Sequence, residues 1–211
     1  MASACQSFLS FSYVDFTVQH KPIGGLGGDV VTWGYYQISP LLDNQKVHPT
    51  DHWFKDELGR AYPDISARAA VKVLVIPSRW GEGVRLLQEA GFDAYGGDVS
   101  EEGLSWGQAR GTRNLRHADL TDMKGAFSDA EFNVAICANL YDVGVDARAV
   151  AELSRVTRPG GNIYIIGTSR VDSSKFPNYG LAVAQELEVG GRKNSGNFRL
   201  IKDIPETPHL L

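Results

Sequence analysis

The residues best placed to do chemistry in this sequence are carboxylates that fall at the ends of short apolar runs. Asp98 lies near the end of one such run, in Gly97-Asp98-Val99-Ser100. An acid at the end of a strand sits at the edge where open α/β sheets bind ligands, and it equally suits the positive start of a following helix. Asp119 closes a second run in His117-Ala118-Asp119-Leu120, a position where aspartate commonly forms a polar turn. A third run leads into Cys137-Ala138-Asn139-Leu140-Tyr141-Asp142. There Tyr141 or Asp142 could orient an acceptor hydroxyl or take its proton at hydrogen-bond distance, and each serves equally well as an ordinary loop residue.

Other chemistries lack their patterns. The phosphate-binding spacings G-x-G-x-x-G and G-x-x-x-x-G-K-[ST] are absent. The glycine cluster Gly24-Gly25-Leu26-Gly27-Gly28 precedes a strand candidate instead of joining a strand to a helix, so it reads as a turn. The five histidines are scattered, and Cys5 and Cys137 stand far apart, so neither a metal site nor a disulfide framework is expected.

These candidates need elements to hold them. From Val71 onward, β-rich apolar runs alternate with helix-like segments, the pattern of a mostly parallel sheet with helices on both faces. Strands are expected at Val71 to Ile76, Phe92 to Val99, Leu115 to Ala118, Phe132 to Ala138, Asn162 to Ile166 and Phe198 to Ile201. Helices are expected over Glu82 to Ala90, over Glu101 to Ala109 behind a Ser100 cap, over Asp146 to Arg158 and over Tyr179 to Glu188, with Pro159-Gly160-Gly161 stopping the third.

Residues 1–70 differ in kind, with β-branched and aromatic runs at Phe11 to Val18 and Val30 to Ile38, and are expected to form an extension or lid on a core spanning 71–211. Trp33, Tyr35 and Tyr36 are candidates to cover an acceptor pocket or to pack against the core or a second subunit. His48 to Trp53 and Tyr62 to Asp64 read as loops, with a short helix between them.

A chain of 211 residues with 43% hydrophobic content can bury one continuous core. Its net charge of −4 offers no global attraction to phosphate backbones or anionic lipid, so neither nucleic-acid nor membrane binding is expected. The sparse cysteines and the lack of a long apolar stretch point to a cytoplasmic protein.

In the order of its features the segment from Val71 to Gly167 resembles the class I S-adenosylmethionine-dependent methyltransferases. The most specific piece runs from Glu152 to Ile165, Glu-Leu-Ser-Arg-Val-Thr-Arg-Pro-Gly-Gly-Asn-Ile-Tyr-Ile, which is similar to that family's helix, Pro-Gly-Gly turn and fifth strand. The resemblance implies a Rossmann-like three-layer sandwich whose last strand is antiparallel. It also implies that Asp98 grips the ribose hydroxyls of S-adenosylmethionine, that Asp119 and the Leu120 backbone meet the adenine, and that Asn139, Tyr141 and Asp142 line the space between donor and acceptor.

The family's first loop carries an acid and alternating glycines, whereas here it reads Val75-Ile76-Pro77-Ser78-Arg79-Trp80-Gly81-Glu82-Gly83, with only Gly81 matching cleanly. Ser78, Arg79 and Gly81 are the cofactor candidates there, Arg79 by pairing its planar fork with the donor's carboxylate. Two functional expectations follow. The first is a methyltransferase acting on a small-molecule acceptor. The second is a non-catalytic protein of the same fold that binds a partner, or forms a homodimer, through its N-terminal extension.

Overall fold

A computed structural model describes residues 49–138, 145–166, 172–189 and 192–204. Seven strands form one sheet in the order β3-β2-β1-β4-β5-β7-β6. They are β1 Lys72–Ile76, β2 Asp93–Asp98, β3 Leu115–His117, β4 Phe132–Ala138, β5 Thr157–Ile166, β6 Leu181–Val189 and β7 Arg192–Lys202. The pairs from β3 to β5 are parallel, and β7 runs antiparallel to both β5 and β6. The helices are α1 Pro49–Ala61, α2 Glu82–Glu89, α3 Glu101–Ala109 and α4 Ala147–Val156.

The continuous apolar runs of β1 and β4 are explained by burial on both faces. Val73, Val75, Val134 and Ile136 point to one side, where they meet Phe54 and Leu58 of α1, Val84 and Leu87 of α2, and Leu104 of α3. Leu74, Ile76, Ala135 and Cys137 point to the other, against Val150, Leu153 and Val156 of α4. The result is the expected Rossmann-like three-layer sandwich.

Four expectations about elements are corrected. The loop expected from His48 to Trp53 is helical from Pro49 onward: proline is tolerated in a first helical turn, and Asp51 stands in that turn. Tyr179 to Glu188 is not a helix. A 3₁₀ turn over Ser173–Tyr179 ends at Gly180 (φ 64), and Leu181–Val189 then pairs with β7, so tertiary pairing overrides the helix preference of Ala, Gln, Glu and Leu. The last strand is correspondingly longer than Phe198 to Ile201.

The helix expected to run from Asp146 to Arg158 ends at Val156, because Thr157 turns extended and already pairs with Phe132. Pro159-Gly160-Gly161 instead belongs to a bulge in β5: Phe132 pairs with Thr157, but Val134 pairs with Asn162. Gly160 has φ 74, and a Cβ on Gly161 would lie 2.8 Å from the Asn133 carbonyl oxygen. Both glycines are therefore required by the backbone.

Candidate functional site

The sheet order reverses between β1 and β4, and the crevice beyond the carboxyl ends of strands at such a point is where open α/β folds bind ligands. Ile76 and Cys137 pair across it, so the first loop, after β1, leaves the sheet beside the end of β4. Asn139, Tyr141 and Asp142, which follow β4 in the sequence, lie outside the described residues, as do the aromatic and glycine clusters of 1–48. The first loop is fully described.

The first loop turns back onto β2. Ser78 N–H donates to the Gly97 carbonyl at 2.8 Å, and Gly81 N–H to the Ser78 carbonyl at 2.8 Å. Arg79 takes a left-handed conformation with φ 56, which costs an L-residue roughly 1–2 kcal/mol. Its amide has a strong partner to offset that cost: Arg79 N–H donates to Asp98 Oδ2 at 2.7 Å. The other carboxylate oxygen, Oδ1, accepts from Ser100 N–H at 3.0 Å. Asp98 thus stands at the carboxyl end of β2 but is only 1% exposed, and these two bonds brace the first loop and the start of α3.

The Arg79 guanidinium turns toward α1, where Nη2 donates to Asp51 Oδ2 at 2.7 Å. This ion pair is largely sheltered from water, with side-chain exposures of 14% and 3%. Pairing with a donor carboxylate, the role expected of Arg79, would compete with this contact. Asp51 was not legible as a partner, because 28 residues separate it from Arg79 without a shared periodicity.

Two polar atoms in this region are buried without a hydrogen-bond partner, Ser78 Oγ and Glu82 Oε2. Burial raises the Glu82 carboxyl above its ordinary pKa, opposed by its own backbone N–H and by the Arg79 guanidinium, and Asp51 adds to the rise. The glycines around the loop leave little slack. A Cβ on Gly81 (φ 82) would come within 2.9 Å of Thr112 Cγ2, and one on Gly107 within 2.3 Å of the Trp80 carbonyl oxygen.

On the far side of β2, Asp119 is exposed and forms a local turn, its Oδ1 accepting from Thr121 N–H at 2.7 Å and Thr121 Oγ1 at 2.8 Å. Leu120 is half-buried and packs on the α4 face of the core. The structure therefore places Ser78, Arg79, Gly81 and Asp98 together, with Asp119 and Leu120 on the segment after β3, where Ala118 N–H is tied to the Asp98 carbonyl.

That segment is held by the most conspicuous motif of the sequence. Glu152 Oε1 and Oε2 take a two-pronged contact from Arg155 at 2.8 Å each, and Oε2 also accepts from Met123 N–H at 2.6 Å. Arg155 continues to the Phe127 carbonyl and Asp129. The guanidinium holds the Glu152 carboxyl below its ordinary pKa, with desolvation opposing and the Met123 N–H helping. Among the described residues no cluster of His, Cys, Asp and Glu could hold a metal ion, and no helix is long and apolar enough to cross a membrane.

As it stands, the described site does not fit a nucleoside gripped by its ribose hydroxyls, because both Asp98 oxygens are engaged and its side chain is covered.

A family model described as a methyltransferase domain matches residues 77–165. No curated protein matches the chain. Among solved structures, the chain is similar to one in a complex between a Haloferax volcanii methyltransferase activator and a methyltransferase, with 14% identity, TM-score 0.55, and 82% of this chain and 98% of that one covered. It is also similar to an S-adenosylmethionine-dependent methyltransferase from Aquifex aeolicus, at 15% identity and TM-score 0.51 over 74% of this chain and 100% of that one. The [4+2]-cyclase SpnF matches at 16% identity and TM-score 0.51 over 77% and 75%. At these identities the likenesses establish the fold. With the family match they agree with the class I methyltransferase resemblance read from the sequence, and the cofactor which that family implies is S-adenosylmethionine.

Proposed function

We propose that this chain, a methyltransferase domain over residues 77–165, transfers the methyl group of S-adenosylmethionine to a small-molecule acceptor. The observation that carries the reading is the position of Asp98: a carboxylate at the end of β2, beside the switch point of a β3-β2-β1-β4-β5-β7-β6 sheet, inside the matched segment. The donor's sulfonium supplies an electrophilic methyl group. The work left to the protein is to hold two molecules in attack geometry and exclude water, which needs few dedicated catalytic groups. Tyr141 and Asp142, which follow β4 in the sequence, are the residues proposed to orient an acceptor hydroxyl or take its proton. The net charge of −4 favours a small acceptor over a nucleic acid.

A second reading is favoured by one observation, the covered Asp98. On that reading the fold persists as a partner or scaffold protein that does not bind the donor. The fold alone does not decide between these, since it also builds a [4+2]-cyclase.

Calorimetric titration of the full chain with S-adenosylmethionine and S-adenosylhomocysteine separates them. The first reading expects saturable binding, followed by transfer of labelled methyl to an extractable small molecule. No heat and no thermal shift at millimolar ligand would leave only the second. Binding without label transfer would place this chain with enzymes that use the fold for other chemistry.

A further inference from the structure

We infer that the seating of α1 on the first turn of α2 is a pH-sensitive joint: Glu82, buried at that joint, keeps α1 docked while it carries its proton and loosens the helix as it ionises. The joint is independent of the donor and operates whether or not the chain binds one.

α1 reaches α2 through Asp51, a buried acid in its own first turn. A Cβ on Gly83 would lie 2.9 Å from Asp51 Oδ1, so the absence of a side chain there lets the carboxylate settle onto the N-terminal turn of α2. The helix dipole favours a negative charge at that end. One residue earlier, Glu82 brings a second carboxyl into the same turn, 9% exposed and with Oε2 lacking a hydrogen-bond partner. Asp51, by contrast, has its Oδ2 bonded to the Arg79 guanidinium at 2.7 Å.

A buried carboxyl oxygen without a partner is tolerated on the neutral acid and costly on the anion. Burial accordingly pushes the Glu82 carboxyl above its ordinary range. Its own backbone N–H opposes the rise, as do Arg79 in the first loop and Arg110 at the end of α3, while Asp51 on α1 adds to it. Lifting α1 takes the Asp51 charge away and admits water, so the Glu82 carboxyl returns toward its ordinary value. The undocked form therefore holds the proton more weakly than the docked one. Docking is strongest at or below the ordinary carboxylate range, weakens as pH climbs toward the raised value, and levels off above it. α1 buries Phe54 and Leu58 in the core and sets Trp53 edge-on to Tyr164 of β5 at 6.2 Å, so its loosening uncovers that face of the sheet.

The test is hydrogen exchange of the full chain from pH 4 to pH 8, corrected for the intrinsic pH dependence of exchange, in wild type and Glu82→Gln. Glutamine keeps the size of the side chain and stays neutral, so the variant holds the joint in its protonated form. In wild type the α1 peptide covering 53–61 should lose about tenfold in protection across this range, the scale set by one carboxyl that binds its proton more tightly when α1 is docked, while β4 keeps its protection. In Glu82→Gln the same peptide should keep at every pH the protection that wild type shows at pH 4. Constant α1 protection in wild type, an equal fall in Glu82→Gln, or a fall in β4 in step with α1 overturns the joint. The wild-type profile is decisive by itself, so an unstable variant leaves the test standing.

Discussion

Two sheltered carboxylate–guanidinium pairs, one on α4 and one between α1 and the first loop, are built differently. On α4, Glu152 meets Arg155 through two contacts at 2.8 Å within one helix, and the remaining valences reach Met123, Phe127 and Asp129. At the first loop, Asp51 meets Arg79 through one contact at 2.7 Å between separate elements, with Ser78 Oγ and Glu82 Oε2 left unsatisfied nearby. The first network is closed on itself and acts as a frame. The second joins two elements beside the carboxyl ends of β1 and β2 and leaves polar atoms unsatisfied, so it is the less complete of the two.

The sharpest way to break that contrast is Glu152→Ala. Removing one member of a sheltered ion pair strands the Arg155 guanidinium and the Met123 amide, and the expected loss is about 3 kcal/mol of unfolding free energy, read from urea denaturation. A loss below 1 kcal/mol would show that the α4 network is no frame. Gly107→Ala comes next. Alanine in a helix interior usually gains about 1 kcal/mol over glycine. Here the new methyl would meet the Trp80 carbonyl oxygen at 2.3 Å, so the expected sign reverses to a loss of roughly 2 kcal/mol. A stabilised variant would mean that the first loop yields easily.

Asp146→Ala tests the frame at its other end. Asp146 Oδ1 accepts from Arg148 N–H and Ala149 N–H at 2.9 Å, and losing this N-cap should cost about 1 kcal/mol in thermal melts.

The smallest effect separates the two networks by pH. Glu82 has its pKa raised on folding, so its ionisation opposes folding increasingly as pH climbs from the ordinary carboxylate value through the raised one. Glu82→Gln should therefore raise Tm at pH 8, with the gap closing below roughly pH 4. Glu152 has its pKa lowered, so its contribution is present above the ordinary value and fades as pH falls through the lowered one. Melting curves for Glu82→Gln and Glu152→Gln across pH 3 to 8 should therefore diverge from wild type in opposite directions toward neutrality. Parallel shifts would contradict the assignment.

Most of the scaffold was readable because its strands are buried on both faces, which leaves runs such as Val73 to Ile76 and Phe132 to Ala138 with almost no polar interruption. The misreading of Leu181–Val189 has the opposite cause: its residues favour helix, and only pairing with β7 makes it a strand. Pro159-Gly160-Gly161 was recognised as significant for the wrong reason, because a bulge and a helix stop demand the same glycines. At the site, the position of Asp98 followed from strand order, but its covering did not. The Arg79 N–H that bonds to Asp98 depends on a backbone torsion, and the Arg79 side chain is held by Asp51, a partner 28 residues away in a segment expected to be a loop.

The most direct test is a crystal structure of the full chain grown with S-adenosylhomocysteine. The account predicts both ribose hydroxyls within hydrogen-bond distance of the Asp98 carboxylate. A nucleoside bound elsewhere would contradict it.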